Sequence, residues 1–393
     1  MSKVEVVEVS SPSQFTQFLE FPYHLYKGDP SFVPPLRVER RDFFNPAKNP
    51  FFRAARVSYF LALQHGEVVG RIATCINYTH NEFHGEKTGF FGFYDTIDDY
   101  AVGSVLLKVA MIWIKKEGMD RMRGPMNFST NHEIGFLIEG FDTPPTLMMT
   151  YNKPYQGQFA ERFGMKKSMD LLALKLPCND PIPERIDNVV TRLQERSRIT
   201  IRTINMRNFK KEIRNIRKVY NAAWEKNWGF VPMDEAEFDH TAANMKQIID
   251  PDMVFIAEHA GEPVGFLIAL PNINQVLQRL DGNLLPFGLI KLLWHTKVKN
   301  KVDQLRVLTL GVVPEYRKRA IDLMLYRASV IKSREKGYIW GELSWVLETN
   351  TLMVKGALDM GAKIYKRYRV VELPLFTELP ERTKIDMFST GDE

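Results

Sequence analysis

Two stretches of the chain carry one rhythm of apolar and polar positions. Val57-Ser-Tyr-Phe-Leu-Ala-Leu-Gln breaks at His65-Gly66-Glu67 and resumes as Val-Val-Gly-Arg-Ile-Ala-Thr-Cys-Ile; Met253-Val-Phe-Ile-Ala breaks at Ala260-Gly261-Glu262 and resumes as Pro-Val-Gly-Phe-Leu-Ile-Ala-Leu. Short apolar runs joined across a glycine turn predict β-hairpins. The surroundings of the two hairpins repeat as well. Ahead of the first, Val4 to Val9 reads as a strand and Pro12 to Tyr26 and Arg37 to Phe44 as helices. After it come strand Gly89 to Tyr94, helix Val102 to Lys116, strand Arg121 to Met126, helix Tyr155 to Phe163 ended by Gly164, and strand Asp170 to Leu176. Ahead of the second, Thr200 to Ile204 reads as a strand and Lys211 to Trp224 and Asp234 to Ile249 as helices. Strand Val307 to Val313, a helix beginning near Ile321, strand Trp340 to Trp345, helix Asn350 to Met360 ended by Gly361, and strand Lys363 to Leu373 follow. A repeat of nearly half the chain is a domain duplication, too long for a solenoid unit. The predicted class is α/β (α+β), with two domains, each a mixed, mostly antiparallel sheet flanked by helices.

Pro177-Cys-Asn-Asp-Pro-Ile-Pro can continue neither strand nor helix and reads as the join. The expected layout is therefore an N-terminal domain at 1–177, a linker and connector helix at 178–198, and a C-terminal domain at 199–393 that carries an inserted segment at 272–303.

The two copies differ at the turn after the long strand. In the second, Val307 to Val313 runs through Pro314-Glu315 into Tyr316-Arg-Lys-Arg-Ala and a helix. Free N–H groups at a helix start carry partial positive charge, and Arg317, Lys318 and Arg319 add full charges, so a diphosphate suits the site. The segment resembles the acyl-CoA pyrophosphate loop of the GCN5-related N-acetyltransferase (GNAT) superfamily, a strand ending in V-x-P followed by Q/R-x-x-G-x-G/A. Here the motif stands as Arg317-x-x-Ala320-x-Asp322. Ala320 keeps a small residue in place of the first glycine, and Asp322 sets a carboxylate where the family prefers no side chain. The order strand, two helices, strand meander, helix, strand, helix, strand is also that of the superfamily.

The resemblance implies an acetyl-CoA or longer acyl-CoA as donor substrate, held by Leu310, Gly311, Val312, Val313, Arg317, Lys318, Arg319, Ala320, Ile321, Asp322 and Asn350. It implies attack of an amine on the thioester, which needs a base and a proton donor for the leaving thiolate. Glu342 and Ser344 share one face of the strand that faces the cleft in the superfamily, making Glu342 the candidate base and Ser344 a proton donor or substrate contact. Many members place a tyrosine four residues before the glycine that stands here as Gly361; this chain has Ala357 there, leaving Tyr365 or Tyr368 as substitutes. The tandem layout resembles bacterial N-acyltransferases of long acyl chains, so the acceptor is expected to be a small-molecule or lipid amine.

At the corresponding turn the first copy has Tyr94-Asp-Thr-Ile-Asp-Asp, and Asp95, Asp98 and Asp99 would repel a diphosphate. The first domain is expected to keep the fold without the cofactor site. Its stretch Asn127-Phe-Ser-Thr-Asn-His-Glu is either a polar capping loop or one wall of a shared cleft, with His132 and Glu133 as an acid/base pair in the second case. A catalytically silent binding module, or a membrane-surface adaptor working through Leu284 to Lys301, is the competing expectation.

Composition narrows the partners. The net charge of +6 is the small difference between 53 basic and 47 acidic residues and is spread along the chain, so no nucleic acid is expected. Cys75 and Cys178 fall in different halves, which indicates neither a disulfide framework nor a thiolate metal site. No metal is expected. The first residues lack the apolar core of a signal peptide, and no apolar run is long enough to span a bilayer; a cytoplasmic location is the default. Leu284 to Lys301 combines an apolar helical patch, Trp294 and the basic residues Lys297, Lys299 and Lys301. It reads either as a helix packed on the sheet edge or as a peripheral contact with an anionic inner-membrane surface. Oligomeric state and acyl length are not legible in the sequence.

Overall fold

The computed structural model describes residues 3–225, 227–283 and 302–375. The inserted Leu284 to Lys301 patch lies outside the described residues.

In the first half, β1 (Glu5–Glu8), α1 (Pro12–Leu25) and α2 (Arg37–Phe43) precede the hairpin β2 (Ala55–Gln64) and β3 (Glu67–Asn77). There follow α3 (Tyr78–His84), β4 (Thr88–Thr96), α4 (Tyr100–Lys116), β5 (Arg121–Gly124), the short β6 (Met126–Asn127), β7 (Glu133–Ile134) and β8 (Phe136–Glu139), α5 (Pro154–Arg162) and β9 (Lys166–Pro177). The connector α6 (Glu184–Ser197) leads to β10 (Ile199–Thr203), α7 (Phe209–Trp224), α8 (Glu235–Met245), the hairpin β11 (Val254–His259) and β12 (Glu262–Pro271), and α9 (Asn274–Leu277). The chain closes with β13 (Gln304–Val312), α10 (Ile321–Glu335), β14 (Trp340–Leu347), α11 (Thr351–Asp359) and β15 (Lys363–Pro374). Both hairpins turn as expected: His65-Gly66 and Ala260-Gly261 each place two residues at positive φ, as a tight two-residue turn requires. The expected mixed sheets flanked by helices are present in both halves.

The two sheets are one. Strands run β1-β2-β3-β4-β5-β15-β9-β14-β13-β12-β11-β10, with β8 added against β15. β15, the last strand of the described residues, lies against β5 of the first half, pairing Val371 with Gly124, whereas β9, the last strand of the first half, lies against β14, pairing Leu343 with Leu174. β9 and β15 pair with each other along most of their length. Each half thus completes its sheet with the other half's last strand.

The second half is a three-layer unit. On one face α6 and α10 cover a core that includes Leu325, Met324, Leu267 and Ala257; on the other α7 and α8 cover Ile216, Val219, Phe238, Ile256 and Phe266. Gly311 permits the second packing: a Cβ there would lie 2.2 Å from the Trp224 ring of α7.

Candidate active site

Parallel pairing of β13 with β14 runs from Gln304–Trp340 to Val307–Leu343 and stops. Beyond it β13 continues to pair with β12, and β14 bends away to pair Val346 and Leu347 with Leu172 and Leu171 of β9. From Leu308 onward β13 therefore presents one open edge of backbone N–H and C=O groups at a splay between two strands. The first half splays at the same place, where β4 and β5 part after Phe90–Arg123, but there the gap is filled. Asn127 Oδ1 accepts from Phe93 N at 2.7 Å, and Phe128 is fully buried beside it.

The open splay is followed by the predicted loop. Pro314–Tyr316 forms a 3-10 turn, and Lys318 and Ala320 then adopt left-handed backbone, with φ of +64° and +55°, before α10 begins. Left-handed residues interleaved with extended ones curve successive N–H groups onto a concave, anion-accepting face. Lys318 and Arg319 are exposed. Arg317 Nη2 donates to the Ala223 carbonyl at 2.7 Å and braces α7, while the Arg319 guanidinium lies 4.7 Å over the Tyr316 ring. Asp322 is exposed in the first turn of α10. Asn350 caps α11, accepting from Met353 N. In the first half Asp99 caps α4. Asp95 turns inward instead, to Arg71 at 2.8 Å and the Tyr26 hydroxyl at 2.7 Å.

Glu342, Ser344 and Tyr365 are brought together in one buried cluster. Glu342 is completely inaccessible and accepts from the Thr146 hydroxyl at 2.7 Å, the Ser344 hydroxyl and the Tyr365 hydroxyl. Directly across the strand pair, Arg306 donates from Nε to Ser344 Oγ at 3.0 Å and from Nη1 to the Leu147 carbonyl at 2.8 Å. Burial lowers the guanidinium pKa, opposed by the charge of Glu342. Burial and the Glu342 charge together push the Tyr365 phenol far above its usual range, so its proton stays on the oxygen. Lys366, buried next to Tyr365, donates to the Gly140 and Thr143 carbonyls, and desolvation pulls its ammonium down to about 8. Thr146, Leu147, Gly140 and Thr143 all belong to the first half, so the second half's cluster is closed by the first.

An apolar cavity of about 250 Å³ adjoins the splay. Leu308, Thr309, Arg306 and Trp345 form its wall at the strands, α7 and α8 contribute residues such as Ile216, Trp224 and Ala242, and Thr130, Asn131 and His132 reach in from the first half. Of the Asn127-to-Glu133 stretch, Thr130, Asn131 and His132 thus line a cavity shared by the two halves, while Asn127 and Ser129 hydrogen-bond nearby backbone N–H groups. His132 packs edge-on against Phe43 and Phe51, and its pKa is pushed down to about 3, mainly by burial and further by the Arg40 and His240 charges. Glu133 is 3.9 Å from Arg40. None of Glu342, Ser344 and Tyr365 lines the cavity; Arg306 is the residue common to it and the cluster. The sequence carried no signal for Arg306, because a lone arginine in an apolar strand reads as an exposed position. Among the described residues no group of three or more His, Cys, Asp or Glu could hold a metal ion, and no helix is long and apolar enough to cross a membrane.

A strand splay beside a basic left-handed loop, in a chain whose two halves repeat one order of elements within a single continuous sheet, defines a tandem GNAT fold. The chain is similar over 96% of its length, at 13% identity and a TM-score of 0.57, to all of a tandem GNAT protein from the clavulanic acid biosynthesis pathway. At 13% identity and a TM-score of 0.53 it is also similar to a GCN5-related N-acetyltransferase from Sphaerobacter thermophilus, over 95% of this chain and 96% of that one. No protein-family model matches it. Two curated proteins are much more alike in sequence. Protein YghO of Escherichia coli is 39% identical across 90% of this chain and 91% of its own, and a bacterial ceramide synthase of Caulobacter vibrioides is 38% identical across 95% of this chain and 98% of its own. The chain belongs to the same family as these two proteins, and its fold is that of the tandem GNAT structures.

Proposed function

We propose that this protein transfers an acyl chain longer than acetyl from a CoA thioester to the amine of a lipid-class acceptor, with chemistry confined to the second half. The apolar cavity beside the β13–β14 splay carries this reading: a water needs roughly 10–15 Å³, so about 250 Å³ of dry-walled space accommodates many methylenes. In this reading Lys318, Arg319 and the N–H groups of the 317–321 turn hold the diphosphate, and the open edge of Leu308 to Val312 receives the pantetheine arm. Arg306, at the junction of cavity and cluster, is the cation placed to meet developing negative charge on the thioester oxygen. Glu342 acts through Ser344, whose hydroxyl it holds and which in turn accepts from Arg306; as a direct base it would have to leave its three hydroxyl partners. The relative named a bacterial ceramide synthase supports the lipid class of acceptor. The basic patch at Leu284 to Lys301 is the proposed contact with a membrane that supplies it.

Calorimetric titration with CoA, acetyl-CoA and a long-chain acyl-CoA tests the reading, alongside Lys318→Glu/Arg319→Glu with Arg317 left in place to brace α7. Two lost charge-assisted contacts amount to about 3 kcal/mol or more, a loss of at least roughly 100-fold in affinity. Equal binding by the variant would remove the loop from the site.

A further inference from the structure

One wall of the cavity belongs to the second half but is held by the first. Asn227–Val231 contributes Asn227, Trp228 and Phe230 to the cavity lining. Thr130 Oγ1 donates to the Gly229 carbonyl at 2.5 Å, His84 Nε2 donates to the Phe230 carbonyl at 2.8 Å, and Asn131 Nδ2 donates to the Val231 carbonyl at 3.1 Å. A carbonyl only accepts, so the His84 proton sits on Nε2. Three consecutive carbonyls are thus taken up by three side chains from the other half. Within the segment, the Asn227 N–H donates to the Trp224 carbonyl and the Phe230 N–H to the Asn227 carbonyl. Gly229 has a φ of +68°, and a Cβ there would come within 2.9 Å of the Thr130 methyl, so the bare backbone is what lets Thr130 close on it. Tyr220 of α7 completes the clamp by donating to Asn131 Oδ1 at 3.0 Å.

The segment borders two pockets. On its outer face lies a polar pocket of about 590 Å³, lined by His80, His84, Glu86, Arg123 and Glu225, and this pocket shares Asn227 and Trp228 with the apolar cavity. Whatever releases the wall joins a space lined by charged residues to a mainly apolar one.

We propose that Thr130, Asn131 and His84 are positioning residues that set acyl-chain selectivity, by clamping the 227–231 wall between the apolar cavity and the polar pocket. The inference rests on the reading of the cavity as the acyl site. With the wall clamped, a long chain is buried against Trp228 and Phe230 and gains roughly 0.8 kcal/mol per methylene; with it released, water from the polar pocket reaches the chain and that gain shrinks. The diphosphate, held at a different loop, does not sense the change. The first half, whose own splay is filled, thereby takes part in choosing the donor.

The test combines amide hydrogen exchange over the 225–233 peptide with acyl-CoA binding, in the full chain, for wild type, Thr130→Val/His84→Phe and Thr130→Val/His84→Gln. Loss of two of the three clamping bonds is expected to speed exchange of that peptide at least tenfold, with the rest of the chain unchanged, and to reduce the ratio of long-chain to acetyl-CoA affinity at least fivefold. Glutamine can donate to the Phe230 carbonyl in place of the imidazole and is expected to recover a substantial part of both. Unchanged exchange in the first variant overturns the clamp, and faster exchange with an unchanged affinity ratio overturns its role in selectivity. A wild type that binds CoA, acetyl-CoA and long-chain acyl-CoA equally well overturns the reading of the cavity itself, a result that the exchange data cannot produce.

Discussion

A cavity that takes the acyl chain should read out its own length, and Ala242→Phe is the substitution that shortens it. Ala242 sits on α8, 7% exposed, and lines the apolar cavity. Each methylene transferred from water to the lining contributes about 0.8 kcal/mol, close to a fourfold gain in affinity per carbon. From acetyl to octanoyl, six methylenes amount to roughly 5 kcal/mol, an upper limit of a few thousandfold, since ordering of the chain offsets part of it. Wild-type affinity, measured by calorimetry on a series of saturated acyl-CoAs, is therefore expected to climb steeply and then level off where the cavity is full. The phenyl ring adds six carbons to the wall, so the plateau of the variant should arrive roughly four to six methylenes earlier, with the initial slope unchanged. A ring that packs elsewhere would instead cost about 1–3 kcal/mol of stability without moving the plateau, and a thermal melt separates the two cases. Identical chain-length profiles in a variant that melts normally would refute the assignment of the cavity.

Two further outcomes follow from buried charges. Arg306→Leu removes a buried guanidinium that is coupled to the Glu342 charge and linked to it through Ser344, and is expected to cost about 3–5 kcal/mol in urea unfolding, whereas Arg306→Leu/Glu342→Leu should recover much of that loss; a double variant as unstable as the sum of the two singles would show that the charges are not coupled. His80 is 2% exposed, and burial, with His84 nearby, pushes its pKa down to about 4. Below pH 6.5 the unfolded chain takes up a proton that the folded chain refuses until about pH 4. His80's contribution to stability is therefore intact above pH 6.5 and falls by about 3 kcal/mol as the pH drops to 4. In melts across this range His80→Gln should show a shallower decline; an equally steep one would assign the slope to other groups.

The elements of both halves were legible because period-two and helical patterns are local: the expected helix at Arg37 to Phe44 and the hairpins at Gly66 and Gly261 fall within a residue or two of their places. The partners of the strands were not legible. Nothing in Asp170 to Leu176 says whether it lies beside β5 or β14, because its apolar face suits either neighbour. Likewise Glu342, Ser344 and Tyr365 could be named from alternation and resemblance, but not that Thr146 and Arg306 would enclose them, since those contacts join residues far apart in the chain. The short α3 escaped because Tyr78-Thr-His-Asn-Glu-Phe-His carries no apolar stripe, and the inward turn of Asp95 was not legible because its partner, Arg71, lies on another strand.

The crossing of β9 and β15 has a consequence for the history of the chain. When the ribosome has finished residue 177, the first half still lacks the strand that belongs beside β5, which is supplied only by Lys363–Pro374. An edge of β5 therefore waits exposed through the synthesis of some two hundred more residues, a long-range closure of the kind that slows folding and invites mispairing. The same crossing means that a gene cut at the duplication point would yield two pieces that each carry the other's final strand. The two repeated halves thus form a single unit, in which neither completes its sheet without the other.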